Sequence, residues 1–232
     1  MTKRPIYYDT ETTGIKAGKD RIIEIAAYDP LQERTFCMFT NPECPIPAES
    51  TAITHITDDM VKEAPLIGAA LTTFTNFCSD PDIVLVAHNN DAFDQLFLQA
   101  EFERARLPMP QWTFLDTLKW SRKYRFDLPR HSLQVLREVY GIVANQAHRA
   151  LDDVLVLHQI FSKMTGDLSW ETILNLMENR SQLLRMPFGK HAGKIISEIP
   201  KDYITWLAGS GAFEKQENAL LRENFQKLGL LE

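Results

Sequence analysis

The stretch IYYDTETTG, residues 6–14, constrains this chain more than any other. Ile6, Tyr7 and Tyr8 read as a strand entering a core, and the strand closes on two acids one residue apart. Side chains alternate across a strand, so Asp9 and Glu11 point to the same face. A carboxylate that leaves water costs free energy unless something compensates its charge. A fold built on this strand must therefore supply something positive at its end.

The remaining composition narrows the setting. With 232 residues, 44% of them hydrophobic, the chain can bury one domain of ordinary size plus an appendage. It has no apolar run of about eighteen residues, so no membrane span is expected. The N-terminal MTKRPIYYDTE turns acidic at once, which does not suit a signal peptide. Cys37, Cys44 and Cys78 are odd in number and form no C-x-x-C, so they read as reduced thiols of a cytoplasmic protein. The formal net charge of -6 argues against a broad basic platform that wraps nucleic acid nonspecifically. It leaves room for a compact acidic site reaching an anionic substrate through metal ions.

Periodicity predicts strands over 5–9, 21–28 and 33–40, the second (RIIEIAAY) nearly continuous in apolar residues as a buried strand should be. NPECPIPAES, rich in proline, is a loop. A helix is expected over 67–78, a short buried strand in DIVLVAHNN, a helix over 91–106, a strand in WTFLDT, and helices over 132–140 and 151–164. Strands first and helices interleaved later predict an α/β fold, a mixed sheet flanked by helices. The expected division is a domain over 1–166, a connecting helix over 167–185 and a small C-terminal module over 186–232.

Two further acids separate from their neighbours by the company they keep on a helix. From Asp91, steps of four lead to Gln95 and Gln99, a solvent face. From Asp94 they lead to Leu98 and Phe102, a core-facing edge. Asp91 is therefore expected as a first-turn acid and Asp94 as an inward one. In HRALDDVLVLHQIFSKM, Asp152 leads to Val156, Gln159 and Lys163, whereas Asp153 leads to Leu157, Ile160 and Met164. Asp153 is the inward acid. His148, five positions earlier, belongs in the loop before that helix, where it could carry a proton. Carboxylates converging without compensation would raise one another's pKa and destabilise the fold. Divalent cations that prefer oxygen ligands, Mg²⁺ or Mn²⁺, remove that difficulty.

DTETTG, AHNNDAFD and HRALDD, in this order, resemble the three motifs of the DEDDh 3′→5′ exonucleases, a family that includes the proofreading subunit of bacterial DNA polymerase III and exodeoxyribonuclease X. The resemblance runs from about residue 6 to 164. It implies a ribonuclease H-like fold, two Mg²⁺ or Mn²⁺ ions held by Asp9, Glu11, Asp94 and Asp153, and His148 as general base. It also implies that the Thr12 main chain holds the 3′-terminal nucleotide, that Asn89 and Phe93 shape the pocket behind Asp94, and that Ile56 is an apolar wedge against the terminal base. That last segment departs from the family pattern, with Thr54 where many members have histidine and His55 following. Asp116 of LDT is expected as a structural or supporting acid. MPFGKHAGKIISEIPKDYITWL resembles the small terminal module of exodeoxyribonuclease X-like proteins, and its Lys190 and Lys194 are expected to guide a phosphate backbone.

The activity so implied is release of nucleoside 5′-monophosphates from DNA 3′ ends, single-stranded or duplex, alone or within a polymerase or repair complex. RNA 3′ ends, or a non-catalytic binding module, are the alternatives. A phosphatase using a strand-end aspartate as nucleophile fits less well, because that chemistry asks for a second aspartate where Glu11 stands.

Overall fold

The computed structural model describes residues 3–143, 150–178, 186–215 and 218–231. The chain divides into two compact units, Met1–Leu174 and Asn175–Glu232. The first is built on a five-stranded sheet: β1 (Arg4–Thr12), β2 (Ile22–Asp29), β3 (Arg34–Phe39), β4 (Ile83–Ala87) and β5 (Thr113–Asp116), in the order β3-β2-β1-β4-β5. β2 runs antiparallel to β1 and β3, and β4 runs parallel to β1 and β5. This is the mixed, ribonuclease H-like sheet, with β1 at its centre. Between β3 and β4 lie α1 (Ala48–Thr54), α2 (Asp58–Val61) and α3 (Ile67–Phe77). α4 (Asp94–Arg104) precedes β5, and α5 (Thr117–Tyr124), α6 (Leu133–Val139) and α7 (Ala150–Thr165) follow it. Among the described residues no helix is long and apolar enough to cross a membrane.

Alternation along β1 sorts its side chains between two helical layers. Ile6 and Tyr8 join the main core with Leu71 and Phe74 of α3 and Phe97, Leu98 and Phe102 of α4. Tyr7 points the other way, meeting His158 and Phe161 of α7 at ring-centroid distances of 5.0 and 6.5 Å. β2 is buried along nearly its whole length because both faces are covered, which is why its sequence is continuous rather than alternating.

Two boundaries differ from the sequence expectation. β1 does not stop at Asp9: it stays paired with β2 through Glu11↔Glu24 and reaches Thr12 across an irregularity in register. The helix expected over 91–106 begins only at Asp94. Asn90–Ala92 form a short 3-10 turn instead, entered through Asn89 in a left-handed conformation (φ 73°) and left through a non-helical Phe93. The buried Asp116 carboxylate braces this turn, accepting the main-chain N–H groups of Asn89 (3.1 Å) and Asp91 (3.3 Å) as well as those of Leu118 and Lys119 at the start of α5. Those amides have no strand or helix partner to serve, and the carboxylate satisfies them.

Glu101 anchors α4 to the sheet. Only 1% exposed, it accepts Arg21 Nε (3.0 Å), the Ile22 N–H (3.2 Å) and an Arg104 guanidinium nitrogen (2.6 Å). Removing one member of such a set leaves charges and an amide unmatched away from water.

The second unit has its own core of Met186, Ile196, Ile199, Ile204, Leu207, Phe213, Leu221 and Phe225. α9 (Lys201–Gly209) and α10 (Ala219–Lys227) carry part of that core. A further helix, α8 (Trp170–Glu178), contains the division at 174, and residues 179–185 of the expected connecting helix lie outside the described residues.

Glu101→Ala is expected to lower unfolding free energy by about 3 kcal/mol, read as an earlier midpoint in urea. A midpoint within error of the wild type would show that Arg21 and Arg104 are satisfied without it.

Candidate active site

β4 pairs with β1 only as far as Tyr7↔Val86. Beyond that point one edge of β1 is open, and its N–H groups need acceptors. Asp94, the first residue of α4 and 2% exposed, fills this role: its Oδ1 accepts both the Thr10 N–H (3.0 Å) and the Thr10 hydroxyl (2.8 Å). The strand that carries Asp9 and Glu11 thus holds the third acid through the residue between them. Asp153 stands in the first turn of α7, the helix that packs on the Tyr7 side of β1.

Electrostatics place the four acids in one neighbourhood. Burial pushes the Asp9 carboxyl well above the ordinary carboxylate range, and repulsion from Asp94, Glu11, Asp153 and Glu24 adds to it. Glu11 is pushed up to about 8, by burial first and then by Glu24, Asp153 and Asp94. Asp94 is pushed up to about 7 by burial, with the two Thr10 donors pulling back and Asp116 adding repulsion. The acids nevertheless do not form a closed cage: among the described residues no three His, Cys, Asp or Glu side chains are spaced to hold a metal ion. Mutual repulsion opposes tighter approach, and the Thr10 donors tether one oxygen of Asp94.

The other expected residues fare differently. Asp116 is the N-cap of α5 and the brace of the loop before α4, which makes it structural. Asn89 gives that loop its left-handed residue, and Phe93 packs on Phe97 with ring centroids 4.8 Å apart. Thr12 is buried, its hydroxyl donating to the Gly14 carbonyl. Ile56 does not present a wedge. It is fully buried with Ile23, Ile46 and Val61, at the foot of a turn where His55 is left-handed and the Thr54 hydroxyl accepts the Ile56 N–H. Asp91 is exposed and ion-pairs with Lys119. His148 lies outside the described residues.

Two participants escaped the sequence reading. Thr10 gave no signal, since a threonine in a strand has no reason to stand out. Glu24 did give one: it is the lone charge in an apolar run, 1% exposed, directly across from Glu11, with the Cys37 thiol donating to its Oε1 at 3.2 Å.

The chain is similar to known proteins. The family model described as "Exonuclease" covers residues 6–161. The chain belongs to this exonuclease family. A second family model, described as "Putative quorum-sensing-regulated virulence factor", matches residues 175–221. The PolC-type DNA polymerase III of Caldanaerobacter subterraneus subsp. tengcongensis is 36% identical over 182 residues, 77% of this chain and 13% of that protein. The chain therefore corresponds to a small part of that relative. Among solved structures, E. coli exonuclease I in complex with a dA16 oligonucleotide has a TM-score of 0.66 at 19% identity, covering 78% of this chain and 44% of the other. Exonuclease X in complex with 5′-overhanging duplex DNA has a TM-score of 0.58 at 22% identity, covering 74% and 98%. At these identities the structures establish a common fold.

The raised carboxyls of this family member have a measurable consequence. Glu11 and Asp94 bind protons more tightly in the folded protein than at their ordinary values of 4.5 and 3.8. Their contribution to stability is thus fully present below those values and lost as pH rises through about 7 for Asp94 and about 8 for Glu11. In chelator, the wild type should melt at lower temperature at about pH 9 than at about pH 7, above the range where histidines titrate. Asp9→Asn, which removes one repelling charge, should melt higher than wild type at about pH 9 and show a flatter dependence. Parallel curves for the two proteins would remove the mutual repulsion inferred for these acids.

Proposed function

We propose that this family member is a divalent-metal-dependent 3′→5′ exonuclease that acts on DNA 3′ ends and releases nucleoside 5′-monophosphates. One observation carries the reading: a central strand and helices from both faces of the sheet bring Asp9, Glu11, Asp94 and Asp153 within range of mutual repulsion. A fold that served stability alone would not keep those carboxylates together without a cation. In donor type they suit two Mg²⁺ or Mn²⁺ ions, being oxygen ligands throughout.

Asp9, repelled by each of the other three, would hold the ions together with Glu11, Asp94 and Asp153. Such ions would supply Lewis-acid activation of a water and stabilise charge on the leaving 3′-oxygen. Thr10 orients Asp94 and so acts through it. The Thr12 main chain, Asn89 and Phe93 would seat the terminal nucleotide. His148 would take the proton of the attacking water, a role for a group that titrates near neutrality. The PolC-type relative supports DNA as substrate and a polymerase or repair assembly as the setting, and reduced cysteines suit a cytoplasmic enzyme.

The test is a gel with 5′-labelled single-stranded DNA, duplex DNA and short RNA, in Mg²⁺, Mn²⁺ or chelator. DNA should shorten from its 3′ end with either ion and stay intact in chelator. Asp9→Asn should lose about 10²–10³-fold or more in rate, and His148→Ala about 10²–10⁴-fold while still binding metal. An intact DNA lane in both metals would sink the proposal, and faster shortening of RNA would move the substrate class. Separately, Thr10→Val keeps the strand-forming shape but deletes one donor to Asp94. It should weaken Mn²⁺ binding about 10- to 100-fold by calorimetry, and an unchanged affinity would remove Thr10 from the site.

A further inference from the structure

The second unit carries a surface that its own core does not account for. Its turn over 186–194 is closed by two main-chain hydrogen bonds, Gly193 N–H to Met186 O and Met186 N–H to Lys194 O, both 2.8 Å. Gly189 lies in the left-handed region (φ 77°), and a Cβ there would collide with the Tyr203 hydroxyl. Only glycine lets the turn seat on that ring. His191, 9% exposed with no hydrogen-bond partner for its Nδ1, meets the same ring edge-on at 4.5 Å.

Tyr203 in turn stacks on Trp206, one helical turn along α9, with centroids 5.5 Å apart and planes 24° from parallel. Trp206 is 61% exposed, while its neighbours Ile204 and Leu207 go into the core. The result is an indole fixed in orientation with much of its surface in water. Lys190 and Lys194 lie on the same turn as Gly189 and His191, both exposed and in no ion pair among the described residues. Residues 186–197 contain no acid, and the nearby Asp202 carboxylate accepts the Tyr203 N–H at 2.9 Å.

An aromatic face together with exposed cations is the chemistry that binds single strands: bases stack and phosphates meet lysines. We propose that the turn and the Tyr203–Trp206 stack form a docking platform for single-stranded nucleic acid, with a base on Trp206 and phosphates on Lys190 and Lys194. The inference rests on the exonuclease reading for its purpose, because a tethered second binding point raises the local concentration of strand near the acids without any change in their chemistry. In a protein of formal net charge -6, a local cationic site gives a polyanion a place to bind.

The test uses the full chain in chelator, so that binding is read without hydrolysis and its failure stays distinct from a failure on the gel. A labelled oligothymidylate of about 20 nucleotides serves as probe in anisotropy titrations over a range of salt. Trp206→Ala should weaken binding roughly tenfold, with Trp206→Phe recovering most of that affinity because a stacking face returns. The Lys190→Glu/Lys194→Glu double variant should weaken binding and reduce the salt slope by about 1.4, near 0.7 for each phosphate that is no longer neutralised. A purely structural role for these lysines would leave the slope alone. Affinity and slope within error of wild type in both variants would overturn the platform. So would a change in sedimentation on Trp206→Ala with binding intact, which would make this face an interface between copies of the chain.

Discussion

The constraint on which this molecule depends is a break in strand pairing. β4 accompanies β1 to Tyr7 and then turns away, while β2 continues alongside to the end of β1. Past the break, β1 is held on one edge and open on the other. A sheet normally has to cover such an edge. Here the cover is a carboxylate, Asp94, which takes the Thr10 amide that β4 no longer meets. The same discontinuity that leaves one edge of β1 open beside Asp9 and Glu11 therefore creates the seat for their partner from α4.

What brings the acids together is firmly braced behind them. Asp116 gathers four main-chain amides and so fixes the loop that delivers Asp94. Glu101, two turns further along α4, ties the helix to the start of β2 through Arg21 and Ile22. Tyr8 hydrogen-bonds to Asn90 beneath the loop, and His88 bridges the Thr117 hydroxyl and the His131 carbonyl at 2.9 and 2.8 Å. None of these interactions relieves the charge at the site. They hold the acids in position against their own repulsion, as preorganisation of a reactive centre requires.

How much of this was legible in the sequence follows from the range of each force. Helical rows picked Asp94 over Asp91 because the burial of Leu98 and Phe102 is written in local periodicity, whereas Val156 on the Asp152 row is buried like Leu157 and Ile160 on the Asp153 row, so burial does not separate those two acids. The strands emerged from local periodicity too. The late start of α4 did not, since the left-handed Asn89 and the non-helical Phe93 that precede it belong to a loop braced by Asp116, more than twenty residues away. Ile56 was misjudged because an isoleucine in a short polar segment reads alike whether it points to a ligand or, as here, into a small core of its own. Thr10 was invisible because its role exists only where β4 ends. Glu24 was visible as a charge amid RIIEIAAY, but its meaning required the register that sets it opposite Glu11.

Burial alone does not mark an acid as functional in this protein, and the contrast among its buried carboxylates says what does. Asp29 lies on β2 like Glu24 and is fully buried, yet hydrogen bonds from Arg4 and Arg34 outweigh the effect of burial and hold its carboxyl below the ordinary range. Glu101 has two arginines, and Asp116 has four amides. Each of these is answered by a positive charge or dipoles, as structural acids must be. Asp9 and Glu11 are answered instead by more negative charge, and their carboxyls move up. Asp94 lies between the two classes: Thr10 donates to it twice, and it is still raised. Such a distribution is costly for stability, and it stands apart from Asp29, Glu101 and Asp116, each of which is met by cations or amides. It is the pattern expected when the missing positive charge belongs to something the site binds.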